Sequence, residues 1–294
     1  MKETHRRFSL ARVAALTGNT FTGLVRLKVF YFLLLFALLL IGSSVFMAQL
    51  TFQQEFKILK DVSLGAMSIF TSLLAIVATA QLIPRDIEER TIYTILAKPV
   101  PRYEYLCGRL AGVLLLLALS LLAMSALFLA LLFVRQEMLA HEVLRQTAGL
   151  APAQIAEALA TLKASAFNAN LLPGIVIIFL KASLLASLTL FISTFATSNL
   201  FTIVVMVFVY FIGHLQSTAR AYWLQTHGGG WLAQVFLSFV ALAFPDLQLF
   251  NLIDDIVAGT AIPLALFGKT ALLGCVYTSV YLFFAWVAFH GKEL

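Results

Sequence analysis

The sequence contains several apolar stretches about 20 residues long, and this feature restricts the fold more than any other. The first of them, Val29–Ala48, has no charged residue. A helix of about 20 residues crosses the roughly 30 Å apolar core of a bilayer and satisfies its own backbone hydrogen bonds there. Stretches of this length therefore predict transmembrane helices.

Six stretches of membrane-spanning length predict an all-α integral membrane protein. They are Val29–Ala48, Val62–Ile83, Leu110–Val134, Leu171–Phe195, Leu200–Gln216 and Leu266–Phe289. The composition agrees, because 61% of the residues are hydrophobic and only 12% are charged, against about 25% charged in soluble domains. This composition excludes a water-soluble fold and predicts that the chain lies in the lipid bilayer. No compact basic domain remains outside the spans, so the net charge of +6 indicates membrane topology rather than nucleic-acid binding.

Three shorter segments are interpreted as helices or partial insertions. Residues 1–28 mix basic and apolar side chains and predict an amphipathic helix in the cytoplasmic interface. The span that follows them is too long for a signal-peptide core of about 7–15 residues, so it is expected to be retained. Trp231–Phe244 has 14 residues and ends before Pro245, which favours an outer re-entrant or interfacial segment. Pro152–Leu162 predicts a short helix with the proline in its first turn.

The distribution of Lys and Arg predicts the orientation. With both termini in the cytoplasm, the inner side holds six of the 20 basic residues in residues 1–28, five in residues 85–109, and Lys292, whereas the outer side holds seven. The sequence thus predicts one multi-pass domain, 1–294, in the inner (cytoplasmic) membrane, with outer segments 136–170 and 218–265. A full crossing by Trp231–Phe244 would move the C-terminus outside, and the charge count would barely oppose it.

The densest polar cluster lies in residues 85–109, between the second and third spans. Read as a helix, it places four residues on one side (Ile87, Thr91, Thr94 and Ile95) and four polar residues elsewhere (Asp86, Glu89, Arg90 and Lys98). Pro99 and Pro101 would end the helix. The pattern predicts a short amphipathic helix followed by a rigid turn. The alternative is a solvated loop that only anchors two spans.

The stretch from Asp61 to Gly112 resembles the permease subunits of type-2 ABC transporters. In that family an acidic residue precedes T-[IL]-x-x-[IL]-L, then a Pro with an Arg shortly after, then a Gly-[KR] that opens the third span. The matching positions are Glu88 or Glu89, Thr91, Ile92, Ile95, Leu96, Pro99, Arg102, Gly108 and Arg109. In addition, Pro245–Asn251 looks like the outer re-entrant element of the family.

The resemblance implies the membrane half of an ATP-driven exporter, moving its substrate through a dimer with an identical or related permease copy. It implies that residues 85–109 form a coupling helix against a separate ATPase subunit. The coupling residues would be Glu88, Glu89, Arg90, Thr91, Ile92, Ile95, Leu96, Pro99 and Arg102. ATP and Mg would be used by that partner, with no cofactor and no metal bound by this chain. The chain itself is expected not to be an enzyme, because Gly268-Lys269-Thr270 resembles a P-loop end but has Pro263 where the motif requires glycine.

Lys181 lies within the fourth span and is the strongest polar candidate for a translocation pathway. A buried amine in a bilayer is costly, which favours a functional role. The alternative is a side chain that snorkels towards the outer interface or a dimer cavity. His214 is expected to be an interfacial hydrogen-bonding residue, and Asp254 and Asp255 are expected to be solvated residues capping an outer helix.

Two other classes of membrane protein are alternatives, a secondary transporter and a membrane-embedded enzyme. The first is expected to carry acidic residues inside its spans, and no Asp or Glu occurs in the six spans. The second needs catalytic groups that converge on one membrane face. The acidic clusters, at residues 86–89 and 254–255, are predicted on opposite faces.

Overall fold

A computed structural model of the chain describes residues 8–49, 54–88, 101–146, 152–168, 170–196, 198–226, 244–260 and 262–291. The described residues are mainly helical and contain no β-strand. The α-helices are α1 (Leu10–Val25), α2 (Lys28–Gln49), α3 (Glu55–Ala80), α4 (Leu82–Glu88), α5 (Arg102–Gln146), α6 (Pro152–Ala166), α7 (Leu171–Ser193), α8 (Asn199–Thr226), α9 (Ile253–Ala258) and α10 (Leu264–His290), and a 3₁₀ helix spans Leu247–Phe250.

Within these ranges, six helical segments are long and apolar enough to cross a membrane, and they contain α2, α3, α5, α7, α8 and α10. This confirms the predicted all-α membrane fold. Helix α1 lies where the N-terminal amphipathic helix was predicted. Helix α6 begins at Pro152, as the sequence predicted.

Several helices extend beyond the predicted spans. Helix α5 has 45 residues and is about 68 Å long at 1.5 Å per residue, roughly twice the apolar thickness of a bilayer. Residues 102–109, predicted as part of the coupling loop, and residues 136–146, predicted as outer segment, are therefore helical. Helix α3 likewise begins at Glu55 rather than at Val62. The apolar stretch marks the part of a helix that lies in lipid, whereas charged helix-forming residues continue the helix outside it.

Helices α3 and α7 form the centre of the bundle. Small hydroxyl-bearing residues are buried along both of them: Ser63, Ser68, Thr71, Ser72, Ser183, Ser187, Thr189 and Ser193. Several hydroxyls donate to carbonyl groups of their own helix, as Ser72 Oγ does to Ser68 O at 2.7 Å and Ser187 Oγ to Leu184 O at 2.8 Å. Small side chains with satisfied hydroxyls allow close helix packing where no hydrophobic effect favours it.

We call the end of the bundle that carries α1, α4 and the start of α5 the proximal end. Arg12 at the start of the chain contacts Glu104, and Arg102 Nη1 donates to Phe289 O near the C-terminus at 3.0 Å. Residues near both termini therefore lie at the proximal end, which is the arrangement expected for an even number of crossings.

The opposite, distal end carries α6, the 3₁₀ helix and α9. Asn168 Nδ2 donates to Ile256 O at 2.9 Å and thereby connects the loop after α6 to α9. Leu247 packs on α8 at Gly213, where an added Cβ would lie 2.8 Å from the leucine Cγ. Asp254 and Asp255 are exposed in the first turn of α9, as predicted. The predicted re-entrant segment Trp231–Phe244 lies outside the described residues except for Phe244.

Candidate functional site

A buried ion pair at the proximal end joins three helices. The side chains of Asp86 on α4 and Arg109 on α5 are only 10% and 8% exposed. Arg109 Nη2 and the hydroxyl of Tyr105 both donate to Asp86 Oδ2. Arg109 Nη1 donates to Thr20 Oγ1 on α1 at 3.1 Å. Arg109 therefore connects α5 to α1 and to the helix that leads into residues 89–100.

A second ion pair holds the beginning of α1 against α5. Arg12 Nε lies 2.7 Å from Glu104 Oε2, and Arg12 Nη2 lies 2.8 Å from Oε1. The backbone N–H of Ser9 also donates to Oε1, at 3.0 Å. The Glu104 side chain is fully buried, so each carboxylate oxygen has a charged donor in place of water. The hydrogen bond to Glu104 raises the pKa of the Arg12 guanidinium, which stays charged.

Two glycines one turn apart on α5 allow these contacts to form. An added Cβ at Gly108 would lie 2.6 Å from Leu16 Cβ, and one at Gly112 would lie 2.6 Å from Thr20 Cβ. Real Cβ atoms do not approach other heavy atoms so closely, so α1 packs directly on the backbone of α5. Thr17 Oγ1 also reaches Gly108 O at 3.3 Å. Gly108 belongs to the Gly-Arg pair of the sequence motif, and this packing gives it a physical role.

The structure corrects two expectations about the start of the predicted coupling segment. Asp86 was expected on a polar side of an amphipathic helix, but it is buried because Arg109, Tyr105 and α4 enclose its carboxylate. Ile87 was expected to share a helix face with Thr91, Thr94 and Ile95 in the segment that meets the partner, but it is half-buried and packs against the core of this chain. Glu88 is exposed at the end of α4. The other predicted coupling residues from Glu89 to Pro99 lie outside the described residues: Glu89, Arg90, Thr91, Ile92, Ile95, Leu96 and Pro99.

Arg102, also predicted to face the partner, has contacts within the chain. Its Nη1 donates to the carbonyl oxygens of Phe289 and His290 at the end of α10. Its guanidinium carbon lies 5.9 Å from the centre of the Phe289 ring, and Tyr105 stacks on the same ring with 5.7 Å between centroids. The last carbonyl groups of a helix need such donors, so Arg102 connects α10 to the start of α5.

Lys181 is enclosed inside the bundle. It is 2% exposed, and its Nζ lies 3.2 Å from Ser68 Oγ and 2.9 Å from His214 Nε2. The Nδ1 of His214 lies 2.9 Å from Tyr210 O. Since a carbonyl only accepts, Nδ1 carries the proton and Nε2 accepts from the lysine. Ser68 and His214 therefore provide the amine with hydrogen-bond partners inside the bundle. His214 is half-buried and forms hydrogen bonds, as predicted.

Sequence reasoning missed the Arg12–Glu104 pair, whose members are 92 positions apart. Its one visible signal was an acidic residue in the first turn of a long apolar helix, close to a basic amphipathic segment. The P-loop-like triplet Gly268-Lys269-Thr270 lies inside α10 rather than in a loop after a strand. Among the described residues, no group of three His, Cys, Asp or Glu side chains is placed to hold a metal ion.

Six apolar helices, with the described ion pairs near the ends of the bundle, define a multi-pass membrane protein whose N-terminal helix α1 is bound to its third span, α5. Residues 21–294 match the family model of the ABC-2 family transporter protein, and the chain belongs to that family. A comparison with curated proteins found no match. The family match covers most of the chain and confirms the resemblance found in residues 61–112. Its members are the membrane components of transporters.

Proposed function

We propose that the chain is the permease subunit of an ATP-driven exporter, powered by a separate ATPase subunit that binds ATP and Mg. The observation that carries this proposal is the Asp86–Arg109 ion pair. Asp86 lies two residues before Glu88, the first position that can match the family motif, and Arg109 is the last matching position. The pair joins the two ends of the segment and also connects them to α1 through Thr20. A permease that is driven by a separate subunit needs such a connection between its docking loop and its transmembrane helices.

The contacts suggest how a movement of the partner would reach the bundle. A displacement of residues 89–100 would pull on α4, and through Asp86 on Arg109 and the start of α5. Helix α1 would follow, because Thr20 and Arg12 bind the same part of α5. Buried, hydrogen-bonded charges resist separation because each would be left unpaired. The proximal ends of α1, α4 and α5 would therefore move as one body.

We further propose that Lys181 belongs to the translocation pathway. Its ammonium has neutral partners, Ser68 and His214, and no carboxylate lies within ion-pair distance among the described residues. The Tyr210 ring, 5.6 Å away, adds only a weak cation–π contact. A cation held without a counter-ion at this depth is suited to attract an anionic group of a substrate.

The orientation and assembly are part of the same proposal. The proximal end would face the cytoplasm, with both termini inside and the chain in the inner membrane, because residues 1–28 and 85–109 hold most of the basic residues outside the spans. A second permease copy would complete the pathway between two bundles. Native mass measurement of the ATPase-bound complex should show two permease copies, and a single copy would refute the dimer.

Copurification with the ATPase tests the docking proposal. Reversing both charges, Glu88→Lys with Glu89→Lys, should lower the amount of ATPase recovered with the permease, since a charged contact buried in an interface is worth about 2–5 kcal/mol. The matched control is Asp254→Lys with Asp255→Lys, an exposed acidic pair at the distal end, which should leave recovery unchanged. Normal recovery with the first variant, at wild-type membrane abundance, would count against docking at this loop.

A further inference from the structure

A cavity of about 550 Å³ lies at the distal end of the bundle, between the start of α3, the distal part of α5 and the ends of α6 and α9. Its described lining residues include one carboxylate, Glu55, and two cations, Lys57 and Lys60. Glu55 is already paired with Arg135 at 2.6 Å. Even with this arginine counted, three cations meet one carboxylate, so the cavity carries an excess of positive charge. Its volume is in the range of sites that hold small ligands.

Lys60 gives this cavity a buried cation. It is 3% exposed, and its Nζ donates to Ser165 O at 2.6 Å. Both residues of this hydrogen bond line the cavity, so the bond lies at its wall. An ammonium has three N–H donors, and that of Lys60 has no second acceptor among the described residues. A buried cation with one neutral acceptor is unfavourable, and an anion in the cavity would supply both an acceptor and a counter-charge.

The start of α3 adds a second cation to the same place. Lys57 lies three residues before Lys60, a spacing that puts both side chains on one side of the helix. It is exposed, and neither lysine has a carboxylate within ion-pair distance in the described ranges. The side chain of Gln54 does not cap the helix, and the first N–H groups of a helix carry partial positive charge. The start of α3 therefore favours an anion in this cavity.

Part of the cavity wall is apolar and lies close to the membrane surface. It is formed by half-buried side chains of four helices: Phe56, Leu139, Leu162 and Val257. The apolar stretch of α3 begins at Val62, so the two lysines lie just outside the part of the helix that is in lipid. Cations at this level beside an apolar wall suit a ligand with an anionic head group and an apolar chain.

We infer that this distal cavity binds an amphiphilic anion, with its head group on the ammonium groups of Lys57 and Lys60 and its chain against the apolar wall. Either a phospholipid of the adjacent leaflet or a single-chain carboxylate from solution supplies this chemistry, a negative charge on an apolar chain. The inference is independent of ATPase docking, because it concerns only the charges and the shape of the cavity.

Binding to the purified full-length protein in a neutral detergent tests the inference. The probes are octanoate and octylammonium, which have the same chain length and opposite charge, measured by calorimetry at pH 7. Octanoate should bind at least about tenfold more tightly than octylammonium, because the head group meets two cations. Equal affinity for the two probes would overturn the inference.

Variants of the two lysines locate the site. Lys57→Gln should weaken octanoate binding about fivefold, because a charged contact is lost, whereas Lys57→Arg keeps the charge and should change it less than about twofold. Lys60→Met should weaken binding about tenfold or more, since the buried cation is removed. Lys57 has no contact in the described ranges that its substitution would break, so its variants test the site whether or not Lys60→Met folds normally.

The matched control is Lys163→Gln, which removes an exposed cation of α6 that does not line the cavity. It should change octanoate binding less than about twofold. Equal losses in Lys57→Gln and Lys163→Gln would overturn the inference, because they would indicate general attraction to the surface.

Dioctanoyl phosphatidylglycerol identifies the source of the anion. Tighter binding of this lipid than of octanoate, with the same sensitivity to Lys57→Gln, would support a phospholipid of the leaflet. Weaker binding of the lipid would support a single-chain carboxylate from solution. Octanoate binding that is unchanged in a folded Lys60→Met variant would overturn the inference for both sources.

Discussion

Breaking the Asp86–Arg109 pair tests whether the proximal contacts hold the structure together. The variant Asp86→Leu leaves Arg109 with a buried charge and no carboxylate, in a site where its side chain is 8% exposed. Removing one partner of a buried pair costs about 3–5 kcal/mol, whereas replacing both with apolar residues is often close to neutral. We therefore expect Asp86→Leu to lower the free energy of unfolding by about 3–5 kcal/mol. The double variant Asp86→Leu/Arg109→Met should recover most of that loss.

Equilibrium unfolding in mixed micelles measures these differences, and the two single variants with the double variant form a complete cycle. A matched control is Glu55→Gln at the distal end, since Glu55 and Arg135 form an ion pair that is 22% and 15% exposed. Breaking this more solvated pair should lower the free energy of unfolding by less, on the order of 1 kcal/mol. The pair does not hold these helices together if the free energy of unfolding of Asp86→Leu is within about 1 kcal/mol of the wild-type value. The same conclusion follows if the effects of the two substitutions on that free energy are additive.

Three further predictions follow from the same structure. In a background with Cys107 and Cys275 replaced by Ser, a cysteine at Thr94 should be labelled only from the cytoplasm and one at Gln154 only from outside; labelling of both from one side would contradict the orientation. Gly112→Val should displace α1, because its Cβ would lie 2.6 Å from Thr20 Cβ, and so increase labelling of a cysteine at Leu16, whereas Gly42→Val, with no atom within 4 Å of an added Cβ, should not. Lys181→Met should lower ATP turnover by the assembled complex without reducing its abundance, and Lys163→Met, at an exposed position of α6, should not; equal turnover in both would remove Lys181 from the pathway.

The positions of the membrane-crossing helices were predictable from the sequence, but their ends were not. Apolar length alone identified the third span, because a bilayer requires it. The same criterion ended that span at Val134, although α5 continues to Gln146. Arg135, Gln136 and Glu137 are polar helix formers that interrupt the apolar stretch, so hydropathy does not record the residues after Val134 as part of the helix.

The candidate site was predictable only in outline, because its partners are distant in sequence. Helical periodicity assigned Asp86 to a polar side, but Arg109, 23 positions later, buries it. The position of Lys181 within the fourth span was predicted, whereas its contact with His214, 33 positions away, was not. The sequence motif includes Gly108, but the sequence does not show why a glycine is needed there. The structure does, because Leu16 packs directly on the Gly108 backbone. Local patterns predict helices and faces, but not which faces meet.

Crosslinking of residue 88 to the ATPase tests the central claim most directly. In the cysteine-free background, Glu88→Cys places a thiol on an exposed position at the end of α4, and Asp254→Cys places one on an exposed position at the distal end. If the proximal end docks on the ATPase, a short bifunctional reagent should join the permease to the ATPase through residue 88 and not through residue 254. Crosslinking through residue 254 alone, or through neither residue in an assembled and active complex, would contradict it.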